Sequence, residues 1–144
     1  MRAIPRGANF GLVVVLAMMV AGCATTAGRA FETNESQVKL RSIQTRAFDT
    51  TDKKQMMQTV ISTMQDLEFV IDKADFMLGS VTGSKYFSNN VITMTVSVRP
   101  RGEKQFLVRA NAQYGIKSVE DAATYQDFFT VLEKALFLTA QQVD

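Results

Sequence analysis

The chain has 144 residues, 16 of them basic and 14 acidic, a formal net charge of +2, one cysteine and no histidine. That length suits one domain with a modest core and not two. The missing histidine excludes Ser-His-Asp and Cys-His catalysis and histidine metal sites, and a lone cysteine excludes an internal disulfide.

The first predicted element is a secretory signal. Met1–Asn9 carries Arg2 and Arg6 with no acid, Phe10–Met19 is apolar, and Val20-Ala21-Gly22 supplies small residues ahead of Cys23. The apolar stretch has the length of a signal core and is short of the roughly 20 residues of a membrane-spanning helix. A retained transmembrane anchor is the alternative.

Val20-Ala21-Gly22-Cys23 resembles the lipobox of bacterial lipoproteins, in which an aliphatic and two small residues precede a cysteine. The resemblance implies that Val20, Ala21 and Gly22 are read by a dedicated signal peptidase that cuts after Gly22. It further implies that Cys23 receives diacylglycerol on sulfur and an acyl chain on its new amino group, with no other cofactor. An ordinary secreted protein with a free cysteine is the other reading. One acyl chain binds a membrane marginally and two or more hold firmly, at about 0.8 kcal/mol per buried methylene. Ala24 in place of Asp implies, by analogy with sorting in enteric bacteria, the outer membrane with the domain facing the periplasm. The expected organisation is therefore a cleaved signal over 1–22, a lipidated tether over 23–36 and one periplasmic domain over 37–144.

Loss of residues 1–22 removes Arg2 and Arg6, so the mature chain carries 14 basic and 14 acidic residues. A neutral, evenly mixed chain lacks the basic face that nucleic acid requires. Ala24–Ser36 is small, polar and aperiodic, and reads as a flexible tether with a random-coil reach of roughly 20 Å. Phe31 is its one large apolar residue, either incidental or a docking point on the domain or membrane interface.

Val38–Phe48 mixes β-branched, aromatic and basic residues and predicts a strand, with Ile43, Thr45 and Ala47 on one side. Lys39, Arg41 and Arg46 give it a solvated basic face or a patch for anionic headgroups or an acidic partner. Asp52 with Gln55 three residues on forms a capping-box start. Met56, Met57, Val60, Ile61, Met64 and Leu67 then fall on one face of an amphipathic helix of about four turns. Such a methionine stripe is ordinarily core, and otherwise an adaptable binding surface.

Phe69-Val70-Ile71 turns toward a strand, Ala74-Asp75 reads as a turn, and Leu78–Tyr86 is a second extended segment. Its GSVTGSK run fails as a phosphate loop, because Ser84 separates Gly83 from Lys85 and no helical pattern follows. The glycines suit a bulge or sheet curvature. Val91–Arg99 alternates cleanly, with Ile92, Met94, Val96 and Val98 on one side. Pro100-Arg101-Gly102 supplies a turn, and Phe106–Tyr114 alternates again, predicting a hairpin with one apolar face.

Ser118–Asp121 has the S-x-x-[DE] form of a helix start, and a helix is expected to about Gln142. Tyr125, Phe128, Phe129, Leu132, Ala135 and Leu136 share one face and would cover the sheet. Phe137 projects about 140° from the centre of that stripe, and Leu138 lies off its other flank. Phe137 either packs on a loop or the first helix, or joins Leu138 in an exposed patch for a partner or membrane.

The carboxylates Glu68, Asp72 and Asp75 lack the spacing of a calcium loop, and no acid pair or Ser-Lys pair stands out, so no enzyme and no metal are expected. The element order β-α-β-β-β-α predicts an α+β two-layer domain, an antiparallel sheet of four to five strands with two helices on one face. That order is similar to the helix-grip-like domains of lipoprotein C of the outer-membrane protein assembly machinery. The segments RSIQTRAFDT, MQDLEF and YQDFF look like those of small uncharacterised Gram-negative lipoproteins. These resemblances imply no known activity; the anchor, the missing catalytic groups and the off-stripe Phe137 instead point to a non-catalytic accessory subunit of an envelope assembly or export complex, bound to a protein partner. A small-ligand or lipid carrier is the alternative, since a sheet gripped by a helix can enclose an apolar cavity.

Overall fold

The structure is a computed structural model, and residues 36–141 are described, with side chains to Leu138. The expected signal, the expected lipidation site Cys23 and nearly all of the expected tether lie outside the described residues. The chain divides into the units Met1–Val38 and Lys39–Asp144, and the second carries the sheet.

Helix α1 covers residues 36–43, followed by β1 (Thr45–Phe48), α2 (Lys53–Asp66), β2 (Val70–Asp75), β3 (Ser80–Phe87), β4 (Asn90–Arg101), β5 (Gln105–Tyr114), the two-residue β6 (Lys117–Ser118) and α3 (Ala122–Gln141). The fold is α+β, with one antiparallel sheet in the spatial order β1-β5-β4-β3-β2 and β6 paired to β5. The strand expected over Val38–Phe48 begins only at Thr45. Its first half is helical because Leu40 and Ile43, three apart, both pack on the core, and the Gln44 N–H bonds the Leu40 carbonyl at 3.1 Å. Within β1 Thr45 and Ala47 share a side as expected, whereas Arg46, expected on a solvated basic face, lies on the side of the core. Arg46 and Phe48 pair with Val108 and Phe106 of the buried face, and Thr45 and Ala47 turn to the open one.

The two helices take the expected positions for local reasons. The Asp52 carboxylate accepts from the Gln55 N–H at 2.9 Å and starts α2. For α3 the cap is Asp121, which accepts from the N–H groups of Ala123 (3.3 Å) and Thr124 (3.2 Å). The expected start at Ser118 is three residues early, since Ser118 pairs with Gln113 as part of β6. α2 ends with Glu68 at φ +67, while the Glu68 and Phe69 N–H groups bond the Gln65 and Met64 carbonyls, both at 2.9 Å.

The alternation of β4 and β5 is realised residue by residue. Met94, Val96, Val98, Val108, Ala110 and Ala112 are buried on one face, against Met56, Val60 and Met64 of α2 and Tyr125, Phe128, Phe129 and Leu132 of α3. Each large side chain so buried contributes about 1.5–3 kcal/mol. The methionine stripe is core. Every member of this cluster among the described residues lies beyond Lys39. The other sheet face is polar, with a Thr82–Thr95 hydroxyl pair at 3.1 Å and Ser84 donating to Asp72 at 2.6 Å.

Two connections differ from the sequence expectation. Ala74-Asp75 belongs to β2, and the turn follows at 76–79; Pro100 and Arg101 belong to β4, which pairs through to Gln105. The GSVTGSK run is the start of β3. Its Gly83 faces the register shift of β2 between Ile71 and Lys73, where a Cβ would stand 2.8 Å from the Val70 carbonyl oxygen.

Candidate functional site

The register gives the domain two poles. At the first lie the β2–β3 and β4–β5 turns, the start of α2 and the late part of α3; at the second lie the β3–β4 and β5–β6 turns, the end of α2 and the start of α3.

Phe137 and Leu138 stand at the first pole, 64% and 53% exposed. Phe137 thus stands mostly in water, although the loop after β1 and the start of α2 lie beside it. It borders a groove of about 250 Å³ lined also by Phe48, Asp49, Thr50, Gln55 and Leu136. The groove floor is fixed from both sides. Arg46 joins β1 to α3 through Glu133 at 2.7 Å and lies over the Phe129 ring at 4.9 Å, and Phe48 tilts against Phe129 at 6.4 Å. Leu136 is half in the core, so α3 passes from a buried to an exposed apolar face within one step of chain.

The second pole gathers apolar residues that the sequence patterns placed on separate elements, together with Phe87, which no pattern included. A cleft of about 270 Å³ is lined by Leu67, Phe69, Phe87, Ile92, Met94 and Tyr114, with Lys85, Thr124 and Asp127 completing its wall. Lys85 is fixed there, paired with Glu68 at 2.7 Å, donating to the Leu67 carbonyl at 3.0 Å and lying 5.2 Å from the Phe87 ring centre. The Lys85 hydrogen bond, then its charge, hold the Glu68 carboxyl below its ordinary value. Ile116, 98% exposed in the β5–β6 turn, stands beyond the cleft. The alternation of β3 and β5 carried this signal in principle, since Phe87 and Tyr114 continue the buried rows past the point where the helices cover them.

Asp121 is the other perturbed acid, lowered by the Ala123 N–H, the Thr124 hydroxyl and the Thr124 N–H. Both perturbed groups are explained by an ion pair and a helix cap, so neither is poised for proton transfer. Among the described residues no three acids, cysteines or histidines converge on a metal position. Among the same residues no helix is long and apolar enough to cross a membrane. No known protein family and no curated protein sequence matches the chain.

Proposed function

We propose that this protein is a lipid-anchored envelope component, held at the outer membrane by acyl chains on Cys23, with a periplasmic domain that binds a protein partner and performs no catalysis. It would serve as an accessory subunit of an envelope assembly or export complex. The observation that carries the binding role is the pair Phe137-Leu138, two large apolar side chains in water on consecutive residues beside a preformed groove. Exposed apolar side chains next to a pocket are what a protein interface core is made from. Crosslinking of the full lipidated chain in envelope vesicles, followed by purification, should recover one stoichiometric partner. Phe137→Ser with Leu138→Ser should abolish its recovery while leaving the melting temperature unchanged, and undiminished recovery would overturn the assignment. Cys23→Ser tests the anchor separately: processing and membrane retention should both fail.

A second reading rests on the cleft at the other pole, whose apolar lining suits a small apolar ligand or lipid chain. Native mass spectrometry of the chain from Ala24 to Asp144 should then show a retained ligand that Met94→Phe displaces. A bare mass after gentle purification counts against it.

A further inference from the structure

The β2–β3 turn places Phe76, Met77 and Leu78 in water one after another, 50%, 86% and 71% exposed. This exposure belongs to a fixed conformation. The Asp75 carboxylate accepts from the Leu78 N–H at 2.9 Å, and the Gly79 carbonyl accepts from the Val98 N–H at 2.7 Å. Gly79, at φ +66, sits so close to β4 that a Cβ would collide with the Val98 carbonyl oxygen. From α2, Lys53 donates to the Met77 carbonyl at 3.3 Å and lies 5.0 Å from the Phe76 ring centre. The turn is thus pinned at its base to two other elements and presents three apolar side chains outward.

We propose that this turn is a membrane contact, with Phe76, Met77 and Leu78 entering the acyl region of a bilayer and the surrounding cations meeting anionic headgroups. Consecutive side chains at a turn fan out in several directions. A bilayer surrounds such a projection from all sides, whereas a protein groove takes one face of an element. The charges around the turn have the matching sign. At this pole Lys53, Lys54, Lys73, Arg99, Arg101 and Lys104 stand against the acids Asp49, Asp52, Asp75 and Glu103, and anionic headgroups attract such an excess. The second pole is of opposite character, with Glu68, Glu120, Asp121 and Asp127 against Lys85 and Lys117. Lys53 holds its ammonium group over the Phe76 ring and on the Met77 carbonyl, which fixes one cation at the base of the apolar turn. The contact is independent of the lipid anchor.

The test uses the chain from Ala24 to Asp144, which keeps α1 whole and contains no cysteine. It should co-sediment with vesicles containing phosphatidylglycerol and bind phosphatidylcholine vesicles at least about tenfold more weakly, with salt narrowing the difference. A solvent-sensitive fluorophore on Met77→Cys should shift to the blue on binding. Phe76→Ser with Leu78→Ser, which alters exposed side chains and should leave the melting temperature in place, should lower vesicle binding by at least about tenfold. Phe137→Ser with Leu138→Ser should leave it intact, which separates this contact from the partner surface. Absence of vesicle binding, a fluorophore that stays in water, or binding indifferent to the Phe76 and Leu78 changes would each overturn the proposal.

Discussion

Tyr125→Phe should destabilise the domain far more than the loss of one hydroxyl suggests. The Tyr125 ring is fully buried, and its hydroxyl donates to the Val119 carbonyl at 2.6 Å while accepting from the Gln44 side-chain amide at 3.0 Å and the Ala112 N–H at 3.3 Å. It fills a gap in the sheet, because β1 pairs with β5 only as far as Arg109 and β6 only from Gln113. Past β6 the Val119 N–H still donates to the Ala112 carbonyl at 2.9 Å, and the tyrosine hydroxyl from α3 bridges the other half of that pair, the Ala112 N–H and the Val119 carbonyl. Removal leaves the Ala112 N–H, the Val119 carbonyl and the buried Gln44 amide each short of a partner. An orphaned buried group costs about 1–3 kcal/mol, and partial relaxation of three neighbours brings the expected total to about 2–4 kcal/mol. For a unit of this size that is a fall in melting temperature of roughly 10–15 °C. Urea unfolding of the chain from Ala24 to Asp144 measures it directly, with an unchanged m-value as the sign that the folded state is preserved. Hydrogen exchange should show lost protection at the Ala112 amide. A change below about 0.5 kcal/mol would refute the claim that this hydroxyl completes the sheet edge.

Gly79→Ala should cost more than about 2 kcal/mol, because φ +66 disfavours alanine and the new Cβ meets the Val98 carbonyl; thermal melting checks it, and a neutral result would mean that the turn is not pinned. Thr63 is fully buried in α2 and its hydroxyl has no hydrogen-bond partner, so Thr63→Val should raise stability by about 1 kcal/mol in urea unfolding; a loss of stability would show that the hydroxyl is satisfied in solution. Acid should weaken the domain through Glu68 and Asp121. Both carboxyls are lowered in the folded state, so what they contribute is complete above the unfolded values near 4 and is lost as pH falls through the folded ones. The effect is modest because both groups face solvent, and urea midpoints followed from about pH 6 to pH 2 should show a shallower acid decline in Glu68→Gln with Asp121→Ala than in the parent.

Sequence patterns gave good sight of elements whose neighbours repeat the same rule. The alternation in Val91–Arg99 and Phe106–Tyr114 and the stripes from Met56 and Tyr125 each specify a buried face locally, and those faces do meet in one core. Patterns failed where a segment is short and its state is set by what it packs on. Leu40 and Ile43 fit either an extended or a helical reading of Val38–Phe48, and contact with the core selects helix. Asp121 and Ser118 both have cap chemistry, and the pairing of Ser118 with Gln113 decides between them. Phe137 was legible as an oddity of α3, since its angle on the helix follows from 100° per residue. Its exposure was not, because that depends on where the loop after β1 lies.

What the sequence by itself determined is the fold class, the two covering helices and the buried face of the central hairpin, since periodicity encodes which side of an element leaves water. The resemblance of Val20-Ala21-Gly22-Cys23 to a lipobox is also local, and it stays a proposal about the anchor. Only the tertiary structure decided that Phe76, Met77 and Leu78 stand exposed beside Lys53, that Phe137 borders a groove, and that Tyr125 closes the sheet edge. Each of these joins residues far apart in the chain, and no local period records which of them will be neighbours.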